Sequence, residues 1–239
     1  MFRLAQRVVH LLVLATWAVS PFLSSALLLN SEAATTLRRG GVHVQRGFVP
    51  ALKLNALRRD LVALVDLGRF ERAESYGSDG RPDTLRAAFT ASPDLENSAA
   101  FSDVFDQITS LGTELAVELK TPLASGIELA CVIYPEGGYY RRHVDSTPKD
   151  VSAARRRRAY SFICYLNEPD WQASDGGALR IHPADPADCD PPGDDSRYQD
   201  IFPEGGTLVL FDSTRVWHEV RPTNRERACL VGWFRHSDE

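Results

Sequence analysis

Hydrophobic residues fall at helical spacing in two stretches of the first half of the chain. In residues 51–67 they are Leu54, Leu57, Leu61 and Leu64; in residues 101–119 they are Val104, Phe105, Ile108, Leu111 and Leu115. Recurrence every three to four positions puts such side chains on one face of a helix, so both stretches are predicted to be helices with one buried side. Ser102 is the expected N-cap of the second. Residues 75–83, rich in Gly, Ser, Asp and Pro, read as a loop.

After Pro122 the period changes. Short runs rich in β-branched and aromatic residues alternate with turn residues, and strands are expected at 127–134, 139–144, 160–166, 178–181, 206–211, 218–220 and 228–234. Several short strands with regular punctuation predict a sandwich or jelly roll. The segments 147–159, with the run Arg155–Arg158, and 183–200, rich in Pro and Asp, read as solvated loops. The picture is a mainly β domain preceded by packing helices.

The first forty residues have another character. Arg3 and Arg7 precede the mostly apolar run 8–29, and no acidic residue occurs before Glu32. This is the pattern of a secretory signal, and the run is also about the ~20 residues that span a bilayer. Small residues for cleavage occur at Ser24-Ser25-Ala26 and Glu32-Ala33-Ala34. Three readings stand: a cleaved signal peptide directing the chain to the secretory pathway, a membrane anchor through residues 8–29, or an organelle import sequence. Residues 1–40 are therefore set aside from the fold, residues 41–125 are assigned to a helical support region, and residues 126–239 to the β domain.

Composition adds exclusions. With 44% hydrophobic and 25% charged residues the chain is globular, and a net charge of −5, with no global basic character, sets nucleic-acid binding aside. None of the four cysteines forms a CxxC pair, which argues against a zinc ribbon. Cys131, Cys164 and Cys229 lie in apolar strand-like runs and read as buried free thiols.

The candidate chemistry begins at His143-Val144-Asp145. Alternate side chains of an extended strand point the same way, so one short strand aims an imidazole and a carboxylate at one point. His218 lies far downstream in Val216-Trp217-His218-Glu219-Val220. Two histidines and a carboxylate leave metal positions open, as non-heme Fe(II) oxygenases need; a structural zinc site is closed by four ligands. The tripeptide alone is weak. It gains weight from Arg227, which opens an apolar strand, because a buried arginine requires a carboxylate partner and its planar fork suits one. The alternative at Arg227 is a surface ion pair with an acid such as Glu226.

The stretch Tyr134-Pro135-Glu136-Gly137-Gly138-Tyr139-Tyr140-Arg141-Arg142-His143-Val144-Asp145 resembles the iron-binding stretch of prolyl hydroxylases. Cys164-Tyr165-Leu166-Asn167, Gly176-Gly177-Ala178-Leu179-Arg180-Ile181, Phe211-Asp212-Ser213, His218-Glu219-Val220-Arg221-Pro222, Arg227 and Trp233-Phe234 continue the resemblance in order. It covers about residues 127–236 and is nearest to the hypoxia-inducible-factor prolyl hydroxylases of the Fe(II)/2-oxoglutarate dioxygenase superfamily. It implies a double-stranded β-helix in which His143, Asp145 and His218 bind Fe(II). Arg227 and Tyr165 would hold the distal carboxylate of 2-oxoglutarate, with Tyr134 lining the same pocket. Tyr140, Arg142, Arg158 and Trp233 would stand near a peptide or protein substrate containing proline. Succinate and CO2 would be released, with L-ascorbate keeping the iron reduced. Two other readings stay open: the same chemistry on a different substrate, and a non-catalytic metal-binding β-helix module.

Overall fold

The computed structural model describes residues 31–73, 85–148, 152–182 and 198–237. In chain order its elements are α1 (Ser31–Arg38), β1 (His43–Gln45), α2 (Ala51–Asp66), β2 (Glu71–Arg72), β3 (Phe89–Ala91), α3 (Ala99–Leu119), β4 (Leu123–Tyr134), β5 (Tyr140–His143), α4 (Ala153–Arg156), β6 (Arg158–Tyr165), β7 (Leu179–His182), β8 (Gln199–Ile201), β9 (Leu208–Asp212), β10 (Trp217–Val220) and β11 (Arg227–His236). The strands form a seven-stranded sheet, ordered β1-β9-β6-β11-β4-β3-β2, and a four-stranded sheet, ordered β5-β10-β7-β8. The two antiparallel sheets make the expected double-stranded β-helix.

The larger sheet is buried on both faces, and strand alternation divides its side chains. Ala228, Leu230 and Phe234 of β11, Phe162 and Cys164 of β6, and Leu208 and Leu210 of β9 join the helices in one core. Their neighbours Cys229, Ile163, Tyr165, Val209 and Phe211 point the other way, into the space between the sheets. The helical core takes Leu54, Leu57, Leu61 and Leu64 of α2 and Val104, Ile108, Leu111 and Leu115 of α3, the residues whose spacing predicts the helices. Each such side chain contributes about 1.5–3 kcal/mol on burial. Helix α3 packs directly on β11: a Cβ on Gly112 would lie 2.5 Å from the Phe234 ring.

Several boundaries differ from the sequence reading. Helix α3 starts at Ala99 and is capped by Ser98, whose hydroxyl accepts from the Phe101 amide at 3.0 Å; Ser102 is not the cap. The earlier start brings Phe101 into the buried face. Residues 31–40 belong to the fold, because Ala33 and Ala34 of α1 are fully buried in the core with Leu37. The support region is not purely helical: β1 pairs with β9 and β3 with β4, and β4 itself begins at Leu123. Strands β1, β2 and β3 are only two or three residues long, too short for an alternation pattern.

The segment 147–159 is not simply a solvated loop. It holds α4, capped by Ser152, and Arg158 is the first residue of β6, in an ion pair with Glu128 at 2.7 Å. Cys131, Cys164 and Cys229 are free and buried, and burial, with Cys229 nearby, pushes the Cys164 thiol up to about 12. The apolar run 8–29, the loop 75–83, Cys189 and residues 183–197 lie outside the described residues. Among the described residues no helix is long and apolar enough to cross a membrane.

Candidate active site

Register in the smaller sheet brings the metal-binding side chains together. His218 of β10 pairs across the ladder with His143 of β5, and the next pair is Val220 with Tyr140, so β5 advances one residue more than its partner. Strict alternation would put Tyr140 and His143 on opposite faces. The extra residue is a β-bulge that returns them to the same side, and their rings stack with centroids 3.7 Å apart. Asp145 follows the strand end. Its Oδ1 lies 3.5 Å from His143 Nε2 and its Oδ2 lies 3.8 Å from His218 Nε2. The ligand atoms of all three residues lie within 4.8 Å of one another.

Both histidines are held in the form a metal needs. His143 Nδ1 lies 2.7 Å from the Arg141 carbonyl and His218 Nδ1 lies 3.0 Å from the Val216 carbonyl. A carbonyl only accepts, so each Nδ1 carries a proton and each Nε2 faces Asp145. Burial, reinforced by the charge of His143 and opposed by Asp145, pushes the His218 imidazole down to about 4. Burial alone would raise the Asp145 carboxyl, but His218, His143 and the Ser161 hydrogen bond outweigh it and hold the group well below the ordinary carboxylate range. At neutral pH His218 is therefore neutral and Asp145 ionised.

The carboxylate is aimed by two serines. Ser161 Oγ donates to Asp145 Oδ2 at 2.6 Å and lies 2.8 Å from Ser213 Oγ. Because the Ser161 proton goes to the carboxylate, the Ser213 hydroxyl donates to Ser161. The amides of Asp145 and Ser146 both bond the Ser213 carbonyl at 3.0 Å. Sequence reasoning does not assign a role to either serine. The available signal was Ser161 itself, a polar residue at an inward position of an apolar strand.

Arg227 is 0% exposed and shares the inner face of the larger sheet. Its Nε donates to the Gly177 carbonyl at 2.9 Å and its Nη1 to Cys229 Sγ at 3.5 Å. Gly177 has a φ of 66°, and a Cβ there would lie 3.1 Å from Arg227 Cδ, so glycine is required for this close approach. Among the described residues, Arg227 Nη2 and the Tyr165 hydroxyl are both buried without a hydrogen-bond partner. Burial pushes the Tyr165 phenol up to about 12 against the pull of the arginine. Tyr134 pairs with Arg227 across β4 and β11, and the guanidinium lies 4.9 Å from the Tyr134 ring and 5.0 Å from the Tyr165 ring. A buried cation with an unmet donor beside an unmet hydroxyl is a site for an anion. Arg227 is fully buried and, among the described residues, no acid is in an ion pair with it, so the surface pairing with Glu226 is corrected.

Strand register relates the arginine end of the site to the metal end. Cys229 pairs with Tyr165, and Trp233 with Ser161. Tyr165 at the arginine end and Ser161 at the metal end are thus four residues apart, about 13 Å along the strand.

The residues expected near substrate are spread around the metal site. Tyr140 stacks on His143, and Arg86 lies 5.4 Å from its ring. Arg142 is half-buried in the bulge beside His143. Trp233 stands across the ladder from Ser161, with the Arg158 guanidinium 3.5 Å from its ring centroid. Gly177, Cys229 and Glu128 were not assigned site roles from sequence.

Comparison with known proteins agrees with this geometry. Residues 129–235 match the model of the 2OG-Fe(II) oxygenase superfamily. The hypoxia-inducible factor prolyl hydroxylase of Caenorhabditis elegans is 36% identical over 109 residues, 45% of this chain and 13% of that protein; the chain thus spans about an eighth of the length of this curated relative. The crystal structure of a Pseudomonas putida prolyl-4-hydroxylase matches with a TM-score of 0.71 and 31% identity, over 86% of this chain and 97% of that one. The prolyl hydroxylase of Trichoplax adhaerens, in complex with a hypoxia-inducible-factor peptide fragment, shares the fold with a TM-score of 0.69 at 21% identity, over 85% of this chain and 87% of that one.

Proposed function

The chain belongs to the 2OG-Fe(II) oxygenase superfamily, and we propose that it hydroxylates prolyl residues of a peptide or protein. The observation that carries the reading is the buried Arg227 on the inner face of the larger sheet, its Nη2 unmet among the described residues, in a fold whose smaller sheet gathers His143, Asp145 and His218.

His143, Asp145 and His218 would hold Fe(II) from one side, leaving the other open. Arg227 and the Tyr165 hydroxyl would take the distal carboxylate of 2-oxoglutarate, with Tyr134 walling the pocket. Bound together, Fe(II) and 2-oxoglutarate supply the oxidising chemistry: one atom of O2 goes to succinate, released with CO2, and the other to the substrate as hydroxyl. The chain supplies orientation. Ser161 and Ser213 fix the carboxylate, the Arg141 and Val216 carbonyls fix the imidazole tautomers, and the apolar walls of the inner face exclude water. Tyr140, Arg142, Arg158 and Trp233 would border the prolyl segment, a reading supported by relatives whose names include prolyl hydroxylase. Ascorbate would serve as the reductant for iron at such an open site. The basic, apolar N-terminus carries the accompanying proposal of a secretory address.

The test is succinate release from 2-oxoglutarate by protein loaded anaerobically with Fe(II) and supplied with ascorbate, with and without proline-containing peptides. Iron-dependent turnover that rises with peptide and collapses in Arg227→Ala supports the reading. Turnover that no proline peptide stimulates points to the same chemistry on another substrate. Well-folded protein that binds no iron sinks the enzyme reading.

A further inference from the structure

The inner face of β11 grades from closed to open. Arg227 and Cys229 are buried, whereas Val231, Trp233 and Arg235 are half-buried. The space between the sheets therefore opens at the Trp233 end. There Ser161, Trp233 and Glu128 form one row across β6, β11 and β4, each paired in register with the next. Ser161 contacts Asp145, so the row runs from the metal site outward.

Arg158 is fastened to this row. Its guanidinium lies 3.5 Å from the Trp233 ring centroid, and its Nη2 and Nε donate to Glu128 Oε2 at 2.7 and 3.2 Å. Both side chains are largely withdrawn from water, at 12% and 18% exposure, so their attraction is only partly screened. The arrangement is not self-contained: among the described residues, Glu128 Oε1 and Trp233 Nε1 are buried without partners. A positive group at this mouth would attract an acidic substrate segment. Glu128 occupies both donors that face it and cancels the charge.

We infer that Glu128 is a specificity-determining residue, holding Arg158 flat on Trp233 as a neutral wall so that the mouth of the site does not select acidic residues beside the target. This rests on the reading of the site as one for a peptide. Arg158 and Trp233 were expected at the substrate from sequence; what the structure adds is the acid that governs them.

The experiment measures binding of two fluorescently labelled peptides, each with a single proline flanked by glutamates in one and by alanines in the other. The full chain is loaded with Fe(II) and 2-oxoglutarate under nitrogen, so that no turnover is needed. Relative to the unaltered protein, Glu128→Gln is expected to shift the preference toward the glutamate peptide by about tenfold, the scale of one charge-assisted contact. The pair Glu128→Gln with Arg158→Gln is expected to lose that gain. An unchanged ratio in Glu128→Gln, or equal weakening of both peptides, overturns the inference, as does failure of every form to bind either peptide. Binding with the expected shift but no hydroxylation on admission of air upholds the inference and sinks the prolyl hydroxylase reading instead.

Discussion

His143 and His218 stand opposite each other as cross-strand partners, ring centroids 4.3 Å apart, each with its Nδ1 proton given to a backbone carbonyl. The iron site is thus prepared by sheet register and two carbonyls before any ion arrives. Removing one ring, as in His218→Ala, leaves two ligands on the open side of the barrel. Iron retained after desalting is expected to drop to background, and succinate release with it. Full iron content in folded His218→Ala would contradict the assignment.

Ser161 is the sharper probe, because it touches the ligand and not the ion. Ser161→Ala leaves Asp145 Oδ2 without its donor. Loss of such support weakens metal binding by about 10–100-fold and costs roughly 1–3 kcal/mol of stability. Metal titration and urea denaturation read the two effects, and excess Fe(II) should restore part of the turnover.

Arg227 predicts a trade of stability against binding. With no anion present, its charge is buried with Nη2 unmet. Arg227→Met is expected to raise the melting temperature of the ligand-free protein, since replacing buried ionic groups with apolar ones stabilises by about 1–4 kcal/mol. The same change should abolish the rise in melting temperature that 2-oxoglutarate produces in the unaltered protein, about 2.7 kcal/mol at a hundredfold excess over Kd. Thermal scans with and without 2-oxoglutarate check both halves.

His218 sets a pH window for the metal-free protein. Its pKa falls from the ordinary 6.5 to about 4 in the folded state. Between these values the unfolded chain binds a proton that the folded chain does not. Stability therefore declines as pH falls from 6.5 toward 4, by at most about 3 kcal/mol, and this group adds no slope above that window. Urea midpoints across the range should show the decline, and His218→Asn should flatten it.

Gly112 tests the scaffold apart from the chemistry. Alanine gains about 1 kcal/mol of helix propensity, but its Cβ would meet the Phe234 ring at 2.5 Å. Overpacking of that kind costs about 1–3 kcal/mol. Gly112→Ala should denature at lower urea yet keep its affinity for 2-oxoglutarate.

Much of this was legible in the sequence where a pattern repeats or a ligand set has a fixed chemistry. The leucines of α2 and the apolar runs of β6 and β11 stand where the reading puts them, and His143, Asp145 and His218 come together as one cluster. What escaped is what depends on partners distant in the chain. Strands β1 to β3 are short and exist because β9 and β4 offer them an edge. The bulge that stacks Tyr140 on His143 is a property of pairing with β10 and not of β5 alone. Ser161 becomes a support for Asp145 only when β6 brings it there, and Glu128 of β4 meets Arg158 of β6 only across the intervening β11. The start of the fold at α1 was hidden because its alanines look like cleavage residues until α3 is seen to cover them.

The central claim is that the two sheets together join an Fe(II) site to a 2-oxoglutarate site and direct oxygen onto a prolyl residue. The most direct test supplies isotopically heavy O2 to the iron-loaded protein with 2-oxoglutarate and a proline-containing peptide, and follows both products by mass spectrometry. The account predicts one heavy atom in succinate and one in the prolyl residue, in equal amounts, with both lost in Arg227→Ala. Heavy oxygen absent from both products, in protein shown to hold iron, would contradict it.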